Sequence, residues 1–230
     1  MLRYAVILIA GTAQRWGQGD KCLQKIHGIP VAIYSLNTFL QSGLFEHCFL
    51  VYRSEEQKQQ LQNYINLGNY VEKISWIIGG NTRLQSVFCA LKYIATSMEP
   101  ESFVFIHDGA RPLITKENLF NLNDVLSKNL GAVLAHRVTD TTLTTPVLVT
   151  SSKRNYVDRK QLWALETPQA FYFPQLYQDY QRAIESGKTT YTDDTSVYSS
   201  PVSLVENNNP NIKLTYPQDL DFVEYYLSKN

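Results

Sequence analysis

Three glycine-bearing stretches in this 230-residue chain each set a cation beside a hydroxyl or a carboxylate, a combination suited to phosphate. The first, Gly11 to Lys21, spaces the small residues Gly11, Ala13, Gly17 and Gly19 among Arg15 and Lys21. Small residues let backbone N–H groups approach an anion while the two cations supply full charge. The second, Gly79-Gly-Asn-Thr-Arg-Leu-Gln-Ser86, offers Arg83 and a hydroxyl where a helix is about to begin. The third, Phe103-Val-Phe-Ile-His-Asp-Gly-Ala-Arg-Pro112, ends an apolar run in Asp108 and Arg111. Each also has a plainer reading: a solvated turn, a tight turn with Ser86 capping a helix, and a salt bridge in a strand-to-helix loop. Neither the Gly-Lys-Ser/Thr ending of a P-loop nor a Gly-x-Gly-x-x-Gly fingerprint is present. Asp193 and Asp194 form a carboxylate pair open to metal binding or, for at least one of them, helix capping.

The elements that must carry these loops follow from apolar patterning. Tyr4 to Ala10, Phe45 to Tyr52, Ser75 to Ile78, Phe103 to Ile106 and Gly131 to Ala135 read as buried strands. Between them, helices are expected from Pro30 to Ser42, Ser54 to Ile65, Ser86 to Ala95 and Lys116 to Ser127, the last capped by Thr115. Such alternation predicts a parallel sheet with helices on both faces. It breaks at residues 138–158, a Thr-rich segment with two β-prone runs that reads as a hairpin arm or as a long surface loop. A helix from Pro174 to Ser186, an N-cap at Thr192 to Thr195, short strands at Val202 to Val205 and Ile212 to Thr215, and a helix from Pro217 to Leu227 complete the expectation. No linker or repeat divides residues 1–230, so a single domain is expected.

Lys plus Arg balances Asp plus Glu at 21 each, which removes the basic footprint of nucleic-acid or membrane binding, so any phosphate site is local. Three cysteines without Cys-x-x-Cys spacing suit a reducing cytosol, and no secretion or anchoring signal is found. A cytoplasmic protein is the expectation.

Taken together, His107-Asp-Gly-Ala-Arg-Pro112, Gly79 to Ser86, Asp140-Thr141, Thr167-Pro-Gln169, Thr192-Asp-Asp194 and Asn211-Ile-Lys213-Leu-Thr215 resemble the 2-C-methyl-D-erythritol 4-phosphate cytidylyltransferases of the non-mevalonate isoprenoid pathway. The resemblance spans nearly the whole chain. It implies a three-layer α/β fold of the nucleotide-diphospho-sugar transferase kind, a homodimer joined by the 138–158 arm, and Mg²⁺-dependent transfer of CMP from CTP to a polyol phosphate. Carried onto this sequence, it places Ala10, Gly11, Arg15 and Lys21 around the triphosphate, and Gly80, Asn81 and Ser86 around cytosine and ribose. Asp108 would hold the metal. Arg111, Thr141 and Thr167 would contact the polyol phosphate, with Arg159 reaching over from the partner subunit. Arg15, Lys21, Arg159 and Lys213 are the implied catalytic cations.

The sequence also departs from the family pattern. Leu8-Ile9-Ala10-Gly11 stands where Pro-Ala-Ala-Gly is usual, Ala13 replaces a glycine, and Asp20 replaces the proline before the lysine. These changes are expected to shift the phosphate cradle. Pro210 takes the place of an aspartate that assists the metal in relatives, leaving Asn211 or Asp108 alone for that task. The competing readings are a ribitol-5-phosphate cytidylyltransferase, a non-catalytic nucleotide-binding protein and a nucleotide-sugar glycosyltransferase.

Overall fold

The computed structural model describes residues 1–11, 16–17, 19–65, 70–144, 155–188 and 190–229. Seven strands form one sheet: β1 (Leu2–Leu8), β2 (His47–Tyr52), β3 (Ile74–Ile78), β4 (Ser102–Asp108), β5 (Gly131–Arg137), β6 (Trp163–Tyr172) and β7 (Ser203–Glu206). Their spatial order is β7-β5-β6-β4-β1-β2-β3. Every neighbouring pair is parallel except those made by β6, which runs antiparallel to both β4 and β5.

Alternation along β1 shows why the layers form. Ala5, Ile7 and Ile9 pack with Val31, Leu36 and Phe39 of α1 (Val31–Ser42), Leu61 of α2 (Glu55–Ile65) and Val223 near the C-terminus. Tyr4 and Val6 face the other way, onto Val87 and Leu91 of α3 (Arg83–Ser97). Successive side chains of a strand point to opposite faces, so two apolar faces demand two covering layers. The remaining helices, α4 (Lys116–Leu126), α5 (Phe173–Glu185) and α6 (Asp219–Leu227), complete them, with α4 and α6 on the α1 side and α5 on the α3 side. The expected three-layer, mostly parallel architecture is present.

Three expectations require correction, and one strand was unforeseen. Helix α3 starts at Arg83 rather than Ser86, because Thr82 and Gln85 close a reciprocal capping box. The Thr192 to Thr195 segment opens turns rather than a helix, and the Asp194 carboxylate is drawn into the interior by Arg83. Residues 212–215 form no strand; Leu214 N–H donates to Ala110 O at 2.9 Å. The ten-residue β6 was not anticipated at all. Pro168, in a cis peptide with Thr167, interrupts its apolar pattern, and the strand accommodates it through a register shift between Leu165 and Gln169.

Of the expected arm, Leu143–Thr144 pairs antiparallel with Asn155–Tyr156. The expected run Val147 to Thr150 lies outside the described residues.

Candidate functional site

A cavity of about 640 Å³ opens at the carboxyl ends of β1, β3 and β4, where open α/β sheets bind ligands. Ala10, Gly11, Lys21, Gly80, Asn81, Ser86, Asp108 and Lys213 all line it. The loop after β3 is compressed: a Cβ on Gly80 would stand 2.4 Å from Cβ of Gln85, and one on Gly79 would stand 2.9 Å from Ala10. Ser86 Oγ accepts from Gly80 N–H at 3.1 Å, so its hydroxyl shapes this loop rather than capping the helix. The bulk of Ile9, expected to disturb the cradle, is instead fully buried in the core. Ala13 and Arg15 lie outside the described residues.

Asp108 is the electrostatic hinge. Lys213 Nζ donates to its Oδ2 at 2.7 Å, Arg83 Nε reaches Oδ1 at 3.5 Å, and Arg111 Nε stands 4.0 Å from Oδ2. Burial alone would raise the Asp108 pKa, but the charges of Arg83, Lys213 and Arg111 overcome it and hold the carboxyl well below its usual range. Arg83 is set from behind by the fully buried Asp194, with bonds of 2.8 and 2.6 Å, and Tyr180 O–H donates to the same carboxylate. Burial works against the Arg83 charge, yet Asp194 and Asp108 keep its pKa well above normal. Cys22 also lines the cavity, and burial pushes its thiol up to about 12, which removes it as a nucleophile.

A second cavity of about 150 Å³ adjoins the first across a wall made by Arg83, Asp108 and Lys213. Arg111, Thr167, Glu166, Gln169, Thr192 and Asp193 also border it. Thr167 Oγ1 accepts from Asp108 N–H at 3.1 Å, which ties β6 to the end of β4. It also meets Nδ1 of His107 at 3.2 Å, whose burial lowers its pKa to about 3 and keeps the ring neutral. Arg111 donates to Asn211 O at 2.7 Å, while its Nε is buried with no hydrogen-bond partner among the described residues. Glu166 is held by His136 at 2.6 Å and by the amides of Asn207 and Asn211 at 2.9 Å each.

Ten of the anticipated residues therefore converge on two adjoining cavities: Ala10, Gly11, Lys21, Gly80, Asn81, Ser86, Asp108, Lys213, Arg111 and Thr167. Thr141 and Arg159 do not join them. Both are exposed, and Arg159 donates to Thr139 O at 3.0 Å near the root of the arm. Reasoning from sequence missed Arg53 and Glu166 and left Asp194 unassigned. The signal for Arg53 was indirect: a carboxylate at Asp20, directly before Lys21, needs a countercharge.

The donor set can be tested against Mg²⁺. Among the described residues no group of three His, Cys, Asp or Glu side chains could hold a metal. Among the described residues Asp108 is the one carboxylate that lines the larger cavity, and the surrounding cations hold it ionised. One hard oxygen ligand suits Mg²⁺ that is held mainly by phosphates and water. Asn211 does not line either cavity; its amide N–H groups go to Glu166 and to Thr167 O.

Comparison with known proteins narrows the chemistry. The family model described as IspD, 2-C-methyl-D-erythritol 4-phosphate cytidylyltransferase, matches residues 4–229. A protein of that name from Shouchella clausii is 34% identical over 98% of this chain and 96% of its own length. Another from Prochlorococcus marinus subsp. pastoris is 31% identical over 97% and 98%. Among solved structures, 4-diphosphocytidyl-2C-methyl-D-erythritol synthase from Anaerococcus prevotii superposes with a TM-score of 0.81 at 24% identity, covering 99% of this chain and 98% of that one, which speaks for the fold.

Proposed function

We infer the activity from one premise: this chain belongs to the 2-C-methyl-D-erythritol 4-phosphate cytidylyltransferase family. It transfers CMP from CTP to 2-C-methyl-D-erythritol 4-phosphate, giving 4-diphosphocytidyl-2-C-methyl-D-erythritol and pyrophosphate. One observation carries this reading at the level of the site: a larger and a smaller cavity share a wall of Arg83, Asp108 and Lys213. We assign the larger to the nucleotide and the smaller to the acceptor phosphate, with the reacting centre at the wall between them.

The acceptor's phosphate oxygen is already anionic, so the reaction needs no covalent enzyme intermediate and no dedicated base. That oxygen attacks the α-phosphorus of CTP while the bond to pyrophosphate breaks. We assign Gly80, Asn81 and Ser86 to cytosine and ribose, and Ala10, Gly11, Arg15 and Lys21 to the triphosphate. Lys213 and Lys21 neutralise charge that builds on the α-phosphate and the leaving pyrophosphate, the preorganised electrostatic work on which such transfers depend. Arg111 and Thr167 orient the acceptor phosphate. Asp108 would hold Mg²⁺, which supplies Lewis-acid charge neutralisation and a template for the phosphates.

The direct test measures pyrophosphate release from CTP with Mg²⁺, with and without 2-C-methyl-D-erythritol 4-phosphate. Release is expected only with the acceptor, and faster than with ribitol 5-phosphate. Turnover with neither acceptor would sink the assignment. The crowded turn gives a second test. Gly80→Ala is expected to weaken CTP binding at least tenfold and to cost about 1–3 kcal/mol of stability, since the new Cβ overlaps Gln85. Isothermal calorimetry that finds CTP affinity unchanged would show that the loop has slack.

Residues 1–230 act as one domain in this reading, because one sheet borders both cavities. We assign dimerisation to the 138–158 arm, supported by the exposure of Leu143 and Tyr156 on it. Thr141 and Arg159 then serve the partner's acceptor pocket, which is consistent with their distance from the cavities of their own chain. Mixing Arg159→Ala with Lys21→Ala protein is expected to restore one of the two sites in each heterodimer, and so up to about a quarter of all sites by roughly statistical pairing. Demonstrated heterodimers without recovered activity would return Arg159 to its own subunit. The free cysteines Cys22, Cys48 and Cys89 agree with a reducing, cytoplasmic setting. No helix among the described residues is long and apolar enough to cross a membrane.

A further inference from the structure

The larger cavity contains a cation that the family resemblance did not supply. Arg53 follows the last residue of β2 and borders that cavity but not the smaller one. Its Nη2 donates to Asp20 Oδ2 at 2.8 Å and its Nη1 to Gly11 O at 3.4 Å. A guanidinium carries five N–H donors, so three remain for a ligand, and the side chain is 35% exposed.

Asp20 is placed to serve this arrangement rather than to oppose it. Its side chain is only 5% exposed, and its Oδ2 also accepts from Nε2 of the buried Gln57 at 2.5 Å. Its Oδ1 accepts from Cys22 N–H at 2.9 Å, closing a turn with Lys21 at the centre. The same carboxylate thus fixes the backbone beneath Lys21 and holds Arg53 at the cavity edge. Without Arg53, a carboxylate beside the triphosphate would stand uncompensated.

We propose that Arg53 binds the phosphates of CTP beyond the α-phosphate, and that Asp20 is a positioning residue for both Arg53 and Lys21. The location identifies the phosphates: the α-phosphorus must face the acceptor across the shared wall, whereas Arg53 is absent from the acceptor cavity. This inference rests on the nucleotide reading of the larger cavity.

Affinities of CTP, CMP and inorganic tripolyphosphate for wild type, Arg53→Gln and Arg53→Lys provide the test. Arg53→Gln is expected to weaken CTP and tripolyphosphate at least tenfold and CMP less than twofold, with Arg53→Lys recovering part of the loss. Asp20→Asn in the Arg53→Gln background is expected to restore some CTP affinity, because it removes the uncompensated charge. A merely structural Arg53 would weaken CTP and CMP alike, and that result, or unchanged CTP affinity, overturns the proposal. Should Arg53→Gln fail to fold, Arg53→Lys decides alone: a threefold or greater weakening confined to CTP and tripolyphosphate supports the proposal, and any other pattern rejects it. If wild type binds tripolyphosphate through Arg53 but turns over no CTP, the assigned reaction falls while the phosphate contact stands.

Discussion

Lys213→Ala is expected to lower kcat/KM for cytidylyl transfer by roughly 10²–10³-fold while leaving the protein folded, the range for losing one preorganised charge at a reacting centre. Lys213 borders both cavities, and its Nζ lies 2.7 Å from Asp108 with the side chain 39% exposed. It is therefore near the reacting centre but not part of the core. Its loss leaves Asp108 still facing Arg83 and Arg111, so the carboxylate stays ionised and the local fold has no new unpaired charge. Lys213→Arg is expected to recover little, because a planar fork cannot take the place of a compact ammonium. Single-turnover kinetics with both substrates saturating reads the chemical step directly. A rate within fivefold of wild type would move charge neutralisation elsewhere in the cavity.

The second large effect is on stability. Asp194→Ala is expected to cost about 3 kcal/mol, the lower end for breaking a buried ion pair, and so to lower Tm by roughly 6–12 °C for a chain of this size. The fully buried carboxylate accepts both guanidinium bonds from Arg83 and the hydroxyl of Tyr180. Removing it strands a buried phenol and a guanidinium together. The lower end applies because Arg83 is 31% exposed on its cavity side, where water reaches it. Asp194→Asn, which keeps the shape and loses the charge, is expected to fall between. Urea and thermal unfolding measure both, and a melting shift under 2 °C for Asp194→Ala would show that Arg83 finds another partner at no cost.

Much of the architecture could be read where apolar pattern and local chemistry agree. Phe103 to Ile106 has no polar alternation, and the strand it belongs to is buried along its whole length and delivers Asp108 to the site. The box Thr82-x-x-Gln85 was equally readable, but attention to the later hydroxyl of Ser86 placed the helix start three residues late. What stayed hidden depends on distant partners. Arg83 and Asp194 pair across 111 positions, Arg53 and Asp20 across 33, and no local pattern announces either. Strand β6 was missed for a different reason: a proline argues against a central strand unless a register shift excuses it, and that shift is a property of the assembled sheet.

That strand also fixes an order of events on the ribosome. β4 and β5 are separated in the sheet by β6, which follows both in the chain. The edge of β4 that β6 will cover, carrying the run Phe103 to Ile106, cannot be completed when β4 emerges. At about 5–20 residues per second, it waits several seconds for Tyr172 to be synthesised. Through that interval the nascent chain holds an open apolar edge, and residues 109–162, α4 and β5 among them, must pass before β6 arrives to close it.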